Sequence, residues 1–336
     1  MKRRIAVLLL SLALLLSGCA LPGRQPQHTA TYLDLFDTVT TVIGSGMTEA
    51  DFNTHAARIR EQLLRCHRLF DIYNSYDGIN NLKTVNDRAG IAPVRVDPEI
   101  IALLLDCRAY YALTGEKVNV AMGSVLSLWH EARVQGLQEP ETARLPDAVA
   151  LQNAAAHCAF DSVIIDEAAS TVFITDPETS LDVGAIAKGW AAQRAAETAP
   201  TGMLISVGGN VCATGPKTGN TPWIIGIQDP DGDGYLHTLR LTGGAVVTSG
   251  DYQRAYTVDG RQYHHIIDPD TQMPAAYWRS VTVVCGDSAL ADALSTALFL
   301  LPLAEGKALA ESCGAQALWL DPQGAEYMTD RFPIDN

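Results

Sequence analysis

The chain has 336 residues, with 38 Asp and Glu against 24 Lys and Arg, and a formal net charge of −14. Apolar residues make up 47% and charged residues 18%, enough for a sizeable core and with no segment disordered for want of apolar side chains. The acidic balance argues against a nucleic-acid binder or a polybasic membrane-surface protein, which need clustered Lys and Arg. It still allows one anionic ligand in a pocket where a metal ion or a lysine reverses the local sign.

Lys2, Arg3 and Arg4 precede an apolar run over residues 5–16, and Leu16-Ser17-Gly18-Cys19 follows. That order reads as a secretory signal peptide, and the run is too short to span a bilayer. Leu-Ser-Gly-Cys resembles a bacterial lipobox, in which the cysteine is lipidated; the alternative is an ordinary signal peptide with an incidental cysteine. The expected organisation is a signal peptide over 1–18, a lipidated tether over 19–30 and one body over 31–336. This places the body at the extracytoplasmic face of the cell membrane, anchored through Cys19. Cysteines 66, 107, 158, 212, 285 and 313 form no Cys-x-x-Cys and mostly lie in apolar surroundings, so buried thiols are favoured over disulfides.

Residues 32–43, rich in Thr, Val and aromatics, predict a strand. Apolar residues at three- and four-residue steps predict a helix over 48–73 with Thr48 as cap. A polar loop follows over 74–96. Asp97 and Pro98 open a helix to about 113; residues 118–122 are extended, and helices follow from 123 to about 132 and up to 157. Residues 162–165 and 171–174 pattern as a hairpin, and 185–196 as a helix. Strands are expected over 203–207, 211–213, 223–228, 235–241, 245–249, 252–258, 262–267 and 279–285. Helices over 287–300 and 304–312 and strands over 317–320 and 326–328 close the chain. A helix-rich first half and a mainly antiparallel second half define an α+β fold.

Three segments carry chemistry. In Leu181-Asp182-Val183-Gly184-Ala185-Ile186-Ala187-Lys188-Gly189-Trp190, a small-residue turn opens a helix, whose N-terminus and Lys188 suit a phosphate; a tight turn with a surface lysine explains the same residues. Asp292 and Thr296 share a face of an otherwise apolar helix. A carboxylate there needs a partner, either a hard cation such as Mg2+ or a structural hydrogen bond. In the third, Tyr263-His264-His265-Ile266-Ile267-Asp268-Pro269, neighbouring strand residues face opposite ways, so one histidine at most addresses a given site. That histidine is either a proton acceptor or a structural group. Two apparent motifs fail. Asp229 to Gly234 begins like a calcium loop, but Arg240 stands where the bidentate Glu belongs. Val207-Gly208-Gly209-Asn210 lacks the dinucleotide spacing.

Together with Phe36-Asp37-Thr38, Ile205-Ser206-Val207-Gly208-Gly209-Asn210, Ser249-Gly250-Asp251-Tyr252 and Ala291-Asp292-Ala293-Leu294-Ser295-Thr296-Ala297, these segments resemble the ApbE family of flavin transferases. The resemblance implies an ApbE-like, T-fold-related body. It implies Mg2+-dependent transfer of FMN from FAD to a Ser or Thr hydroxyl of an acceptor flavoprotein, such as a membrane redox-complex subunit or an extracellular flavoprotein, with release of AMP. By the same resemblance Asp182 and Lys188 contact FAD, as do Val120, Ala121 and Met122 on the adenine side, Ile266 beside the flavin nucleotide, and Tyr76. The Ala185 carbonyl, Asp292 and Thr296 hold the metal, and His265 is catalytic. Many family members carry Phe-Asp where this chain has Val118-Asn119. Two rivals remain: an FAD pyrophosphatase using water as acceptor, and a flavin-binding lipoprotein without catalysis.

Overall fold

The computed structural model describes residues 26–335, so the signal peptide and Cys19 lie outside the described residues. The first difference from expectation is at the start. Residues 32–43 are two strands, β1 (Gln27–Leu35) and β2 (Thr38–Ser45), so β1 begins inside the segment read as tether. They meet at Phe36 and Asp37, with φ of 52° and 50°. Two successive left-handed residues make the tight turn that matches strand twist, and no glycine announces it. The helix α1 (Glu49–Phe70) begins as predicted: the Thr48 hydroxyl accepts the Asp51 N–H at 3.2 Å. Its buried stripe is Phe52, Ala56, Ile59, Leu63, Cys66, Leu69 and Phe70.

The polar loop after it contains a short helix, α2 (Leu82–Asp87), capped by the Asn81 side chain, and a two-residue strand, β3 (Val94–Arg95). Then come α3 (Pro98–Leu113), α4 (Gly123–Gln138), which runs past the expected end near 132, and α5 (Ala148–Ala155). Strands β4 (Val163–Asp166) and β5 (Thr171–Ile174) form the predicted hairpin and join β3 in a small sheet. The second half holds α6 (Ala187–Glu197), β6 (Met203–Val207), β7 (Asn210–Ala213), β8 (Trp223–Gln228), β9 (Tyr235–Leu241) and β10 (Gly244–Gly250). It ends with β11 (Ala255–Val258), β12 (Arg261–His264), β13 (Ser280–Cys285), α7 (Ser288–Leu300), α8 (Leu303–Ser312), β14 (Gln316–Leu320) and β15 (Glu326–Met328).

Eight strands form one antiparallel sheet in the order β1-β2-β6-β7-β10-β13-β14-β15. Its central strands are buried on both faces, and alternation sorts their side chains. Met203, Ile205 and Val207 of β6 point into the cluster with α1 and α6, whereas Leu204 points to the opposite face. There Trp223, Ile225 and Ile227 of β8 and Leu239 and Leu241 of β9 cover the sheet. On β13, Val281 and Val283 face α7. The mixed helix and antiparallel-sheet body agrees with the expected α+β class. No helix among the described residues is long and apolar enough to cross a membrane, and the six described cysteines are free thiols.

Candidate active site

One cavity of about 530 Å³ opens where the 181–188 turn, α4, the β11–β12 hairpin and α7 converge on one end of the large sheet. That size suits a small-molecule ligand. Of the sequence-predicted residues, Met122, Asp182, Ala185, Lys188, His265, Ile266, Asp292 and Thr296 line it. Val120, Ala121 and Tyr76 do not. Val120 and Ala121 are core residues; Val120 contributes through its backbone, its carbonyl accepting the Asp182 N–H at 2.8 Å. Tyr76 turns away, its hydroxyl donating to Asp71 at 2.7 Å while Arg68 lies over its ring. The aromatic in the wall from this region is Tyr73, 56% exposed, with its ring tilted against that of His130.

Backbone ties fix the turn that carries Asp182. Asn86 of α2 clamps Leu181, accepting its N–H at 2.8 Å and donating to its carbonyl at 2.9 Å. The Gly123 N–H reaches the Ser180 carbonyl at 2.8 Å, beside a parallel bridge between Met122 and Ser180. Asp182 Oδ1 then accepts the Gly184 N–H at 2.8 Å, a local turn typical of aspartate. Burial raises the Asp182 pKa, and the Gly184 N–H, Arg254, His130 and Lys188 offset that rise.

Asp292, 4% exposed, projects from α7 toward α6. Its Oδ2 accepts the Gly189 N–H at 2.8 Å, and Lys188 Nζ stands 3.9 Å away. This bond has a second effect. In a regular helix the Gly189 N–H would close onto the carbonyl four residues back, which is Ala185. Here it goes to Asp292, and the Ala185 carbonyl accepts no backbone hydrogen bond among the described residues. A carbonyl, a carboxylate and, one turn on, the Thr296 hydroxyl therefore share this end of the cavity. These are hard oxygen donors that suit Mg2+, which keeps several waters and takes its remaining oxygens from a substrate phosphate. Among the described residues no three His, Cys, Asp or Glu cluster for a metal, so the set holds a single carboxylate.

The close helix contact depends on Gly189. A Cβ there would lie 2.5 Å from the Asp292 Cβ and closer still to the Ser288 carbonyl. We expect Gly189→Ala to destabilise the protein by about 1–3 kcal/mol, the usual range for overpacking, read as a lowered urea midpoint. An unchanged midpoint would show that α6 and α7 part without cost.

Both histidines line the cavity, against the expectation that at most one would, because His265 lies just past the end of β12 where strand alternation no longer applies. His264, 8% exposed, ends β12 as a structural group: its Nε2 bonds the Ala275 carbonyl at 2.8 Å and its Nδ1 accepts the Ile266 N–H at 3.2 Å. His265, just past the strand, is open to the cavity. The surrounding walls, then Arg254, His264, Lys188 and Arg133, push its pKa down. The residue is exposed, and the cations act in the same direction as the walls. The imidazole is therefore neutral near pH 7 and can take a proton.

Sequence reading missed the far wall. Arg133 and His130 lie on the part of α4 beyond or near its predicted end, and Arg254 precedes β11. Burial and the neighbouring Arg254 lower the Arg133 pKa, and its recorded side-chain contact is His130 Nδ1 at 3.3 Å. Lys117, by contrast, is spent on Asp268 at 3.0 Å and Asp270 at 2.6 Å, holding the Asp-Pro turn against the 117–122 segment. A chain of net charge −14 thus places Arg133, Lys188 and Arg254 around one cavity that Asp37, Asp182 and Asp292 also line, so an anion there would meet individual cations and not a net positive field.

A family model described as the ApbE family matches residues 36–319. An FAD:protein FMN transferase of Treponema pallidum is 36% identical over 262 residues, covering 72% of this chain and 70% of that protein. One from Klebsiella pneumoniae is 31% identical over 253 residues, covering 71% and 76%. The crystal structure of the ApbE protein from Thermotoga maritima matches with a TM-score of 0.81 at 30% identity, covering 91% of this chain and 97% of that one. The flavin transferase ApbE from Vibrio cholerae shares the fold with a TM-score of 0.77 at 24% identity, covering 92% and 98%.

Proposed function

The chain belongs to the ApbE family, and from that premise we propose that it is an FAD:protein FMN transferase that moves FMN from FAD to a Ser or Thr hydroxyl of an acceptor protein and releases AMP. The observation that carries this reading is the convergence of Asp182, Lys188, His265, Asp292 and Thr296, from three distant parts of the chain, on one cavity rimmed by Arg133 and Arg254. Its size and its cations suit a dinucleotide pyrophosphate.

In the proposed reaction the acceptor oxygen attacks the phosphorus of the FMN half. A new phosphoester bond forms, the bond from that phosphorus to the bridging oxygen breaks, and AMP leaves with the bridging oxygen. His265, neutral and open to the cavity, accepts the hydroxyl proton. Lys188 and Arg254 offset the charge of the phosphates and hold them in line. Asp292, the Ala185 carbonyl and Thr296 would hold Mg2+, which when bound supplies charge neutralisation at the pyrophosphate.

The reading extends to the cell: a lipid on Cys19 holds the enzyme at the extracytoplasmic membrane face, where it modifies membrane redox-complex subunits or extracellular flavoproteins. The test compares in-gel flavin fluorescence of membrane proteins from cells with and without the chain, and AMP release by the purified protein with FAD and Mg2+. A fluorescent band that depends on the chain is expected. Rapid AMP release without acceptor and without any labelled protein would instead make it an FAD pyrophosphatase.

A further inference from the structure

Three buried side-chain atoms have no hydrogen-bond partner among the described residues: Thr40 Oγ1, Asn210 Nδ2 and Ser288 Oγ. Of these residues only Asn210 belongs to the cavity wall. Its side chain is 3% exposed. A buried amide donor without an acceptor is costly, and native structures retain few of them. Its position is also tightly fixed. Gly208 and Gly209, with φ of 58° and 92°, form a two-residue turn between paired Val207 and Asn210. A Cβ on Gly208 would strike the Thr38 side chain. The Val207–Asn210 pairing and the close approach of Gly208 to Thr38 thus set where the Asn210 backbone sits.

The acceptor that the fold brings toward this amide is Asp292: helix α7 packs on β7, both residues line the cavity, and the Asn210 side chain is one of the groups favouring the charged form of the Asp292 carboxylate. The carboxylate already receives the Gly189 N–H on Oδ2. A second donor from the sheet side would fix its plane from two directions, as metal-binding carboxylates generally require.

We propose that Asn210 is a positioning residue for Asp292: its Nδ2–H donates to the carboxylate and holds the remaining lone pairs toward the Ala185 carbonyl and Thr296, setting the affinity of that oxygen cluster for a divalent cation. This rests on reading Asp292 as a cation ligand.

The test is Mn2+ binding to the full chain without FAD, followed by the electron paramagnetic resonance of the free ion. Asn210→Ala and the near-isosteric Asn210→Leu should each weaken Mn2+ binding by about 10- to 100-fold, the range typical of outer partners of metal ligands. The urea midpoint in EDTA should stay close to that of the wild type, because the Asn210 amide nitrogen holds no other group among the described residues. Unchanged Mn2+ affinity in both variants, with affinity lost in Asp292→Ala, would overturn the role of Asn210 and leave Asp292 in place. Wild-type affinity in Asp292→Ala would remove the cation reading itself. A fall in the urea midpoint of both variants with Mn2+ affinity intact would make Asn210 a structural residue only.

Discussion

Asp292→Ala is expected to lower FMN transfer by at least about 100-fold, since a bound cation supplies several kcal/mol of transition-state stabilisation and each 1.36 kcal/mol is tenfold in rate. The loss should persist at high Mg2+ if the carboxylate also orients the cation. The same change should leave the fold intact. Burial raises the Asp292 pKa above its ordinary 3.8, against the pull of Lys188, the Gly189 N–H and Asn210. The native protein therefore holds this proton more tightly than the unfolded chain. The stability linked to it is complete below pH 3.8 and is lost as pH rises through the raised value. At pH 7 the charged carboxylate thus weakens the metal-free protein, and Asp292→Asn should raise its urea midpoint in EDTA. Added Mg2+ should stabilise the wild type and not that variant. Full transfer by Asp292→Ala in excess EDTA would remove the metal from the reaction.

His265→Ala should retain FAD binding and lose transfer by about 100- to 10,000-fold, the usual contribution of a positioned proton acceptor. Wild-type transfer rates would remove His265 from the mechanism. A pH profile separates a catalytic imidazole from a merely space-filling one. The walls and the cations Arg254, Lys188 and Arg133 depress its pKa below 6.5, so the acid limb of the transfer rate should lie below that value. Arg254→Gln removes one of those cations, so the limb should move upward toward 6.5. A limb that stays in place in this variant would mean that another group controls it.

The sequence made some of this legible and hid the rest for identifiable reasons. Helix starts were readable because Thr48 and Asp97 cap with their own side chains, and both accept the expected backbone N–H; Asp287 does the same at the start of α7. The β1–β2 turn was not, because Phe36 and Asp37 adopt left-handed backbone without a glycine to signal it. Helix α2 hid inside a polar stretch, since one Asn81 cap and two buried residues are too short a pattern to carry periodicity. At the site, residues on regular elements were placed well. Asp292 and Thr296 share a helix face and both line the cavity, whereas His264 and His265 both reach it because His265 lies past the end of β12. Residues on irregular segments were not. Which of Val120, Ala121 and Met122 meets the cavity depends on the Met122–Ser180 bridge and the bond from Asp182 to Val120, which join distant parts of the chain. Tyr73 and not Tyr76 lines the cavity, and the Tyr76 hydroxyl is held by Asp71. The charge arithmetic sharpened as well. The excess of carboxylates lies elsewhere on the molecule, and Arg133 and Arg254 join Lys188 at the one place where an anion is expected.

The pairing of β12 with β11, Ala255 opposite His264 and Val258 opposite Arg261 across the Asp259-Gly260 turn, also sets how this region can change in length. Loss of a single residue within β12 would seat His265 in the slot that bonds Ala275 and would offer Ile266 to the cavity. The hairpin would keep a well-anchored histidine, while the proton acceptor would be gone. A deletion within β12 alone should therefore cost the proton acceptor, whereas loss of one residue from each strand beside the turn would keep His264 opposite Ala255 and His265 at the cavity. Variants drifting in this hairpin would be filtered by register before any side chain is exchanged.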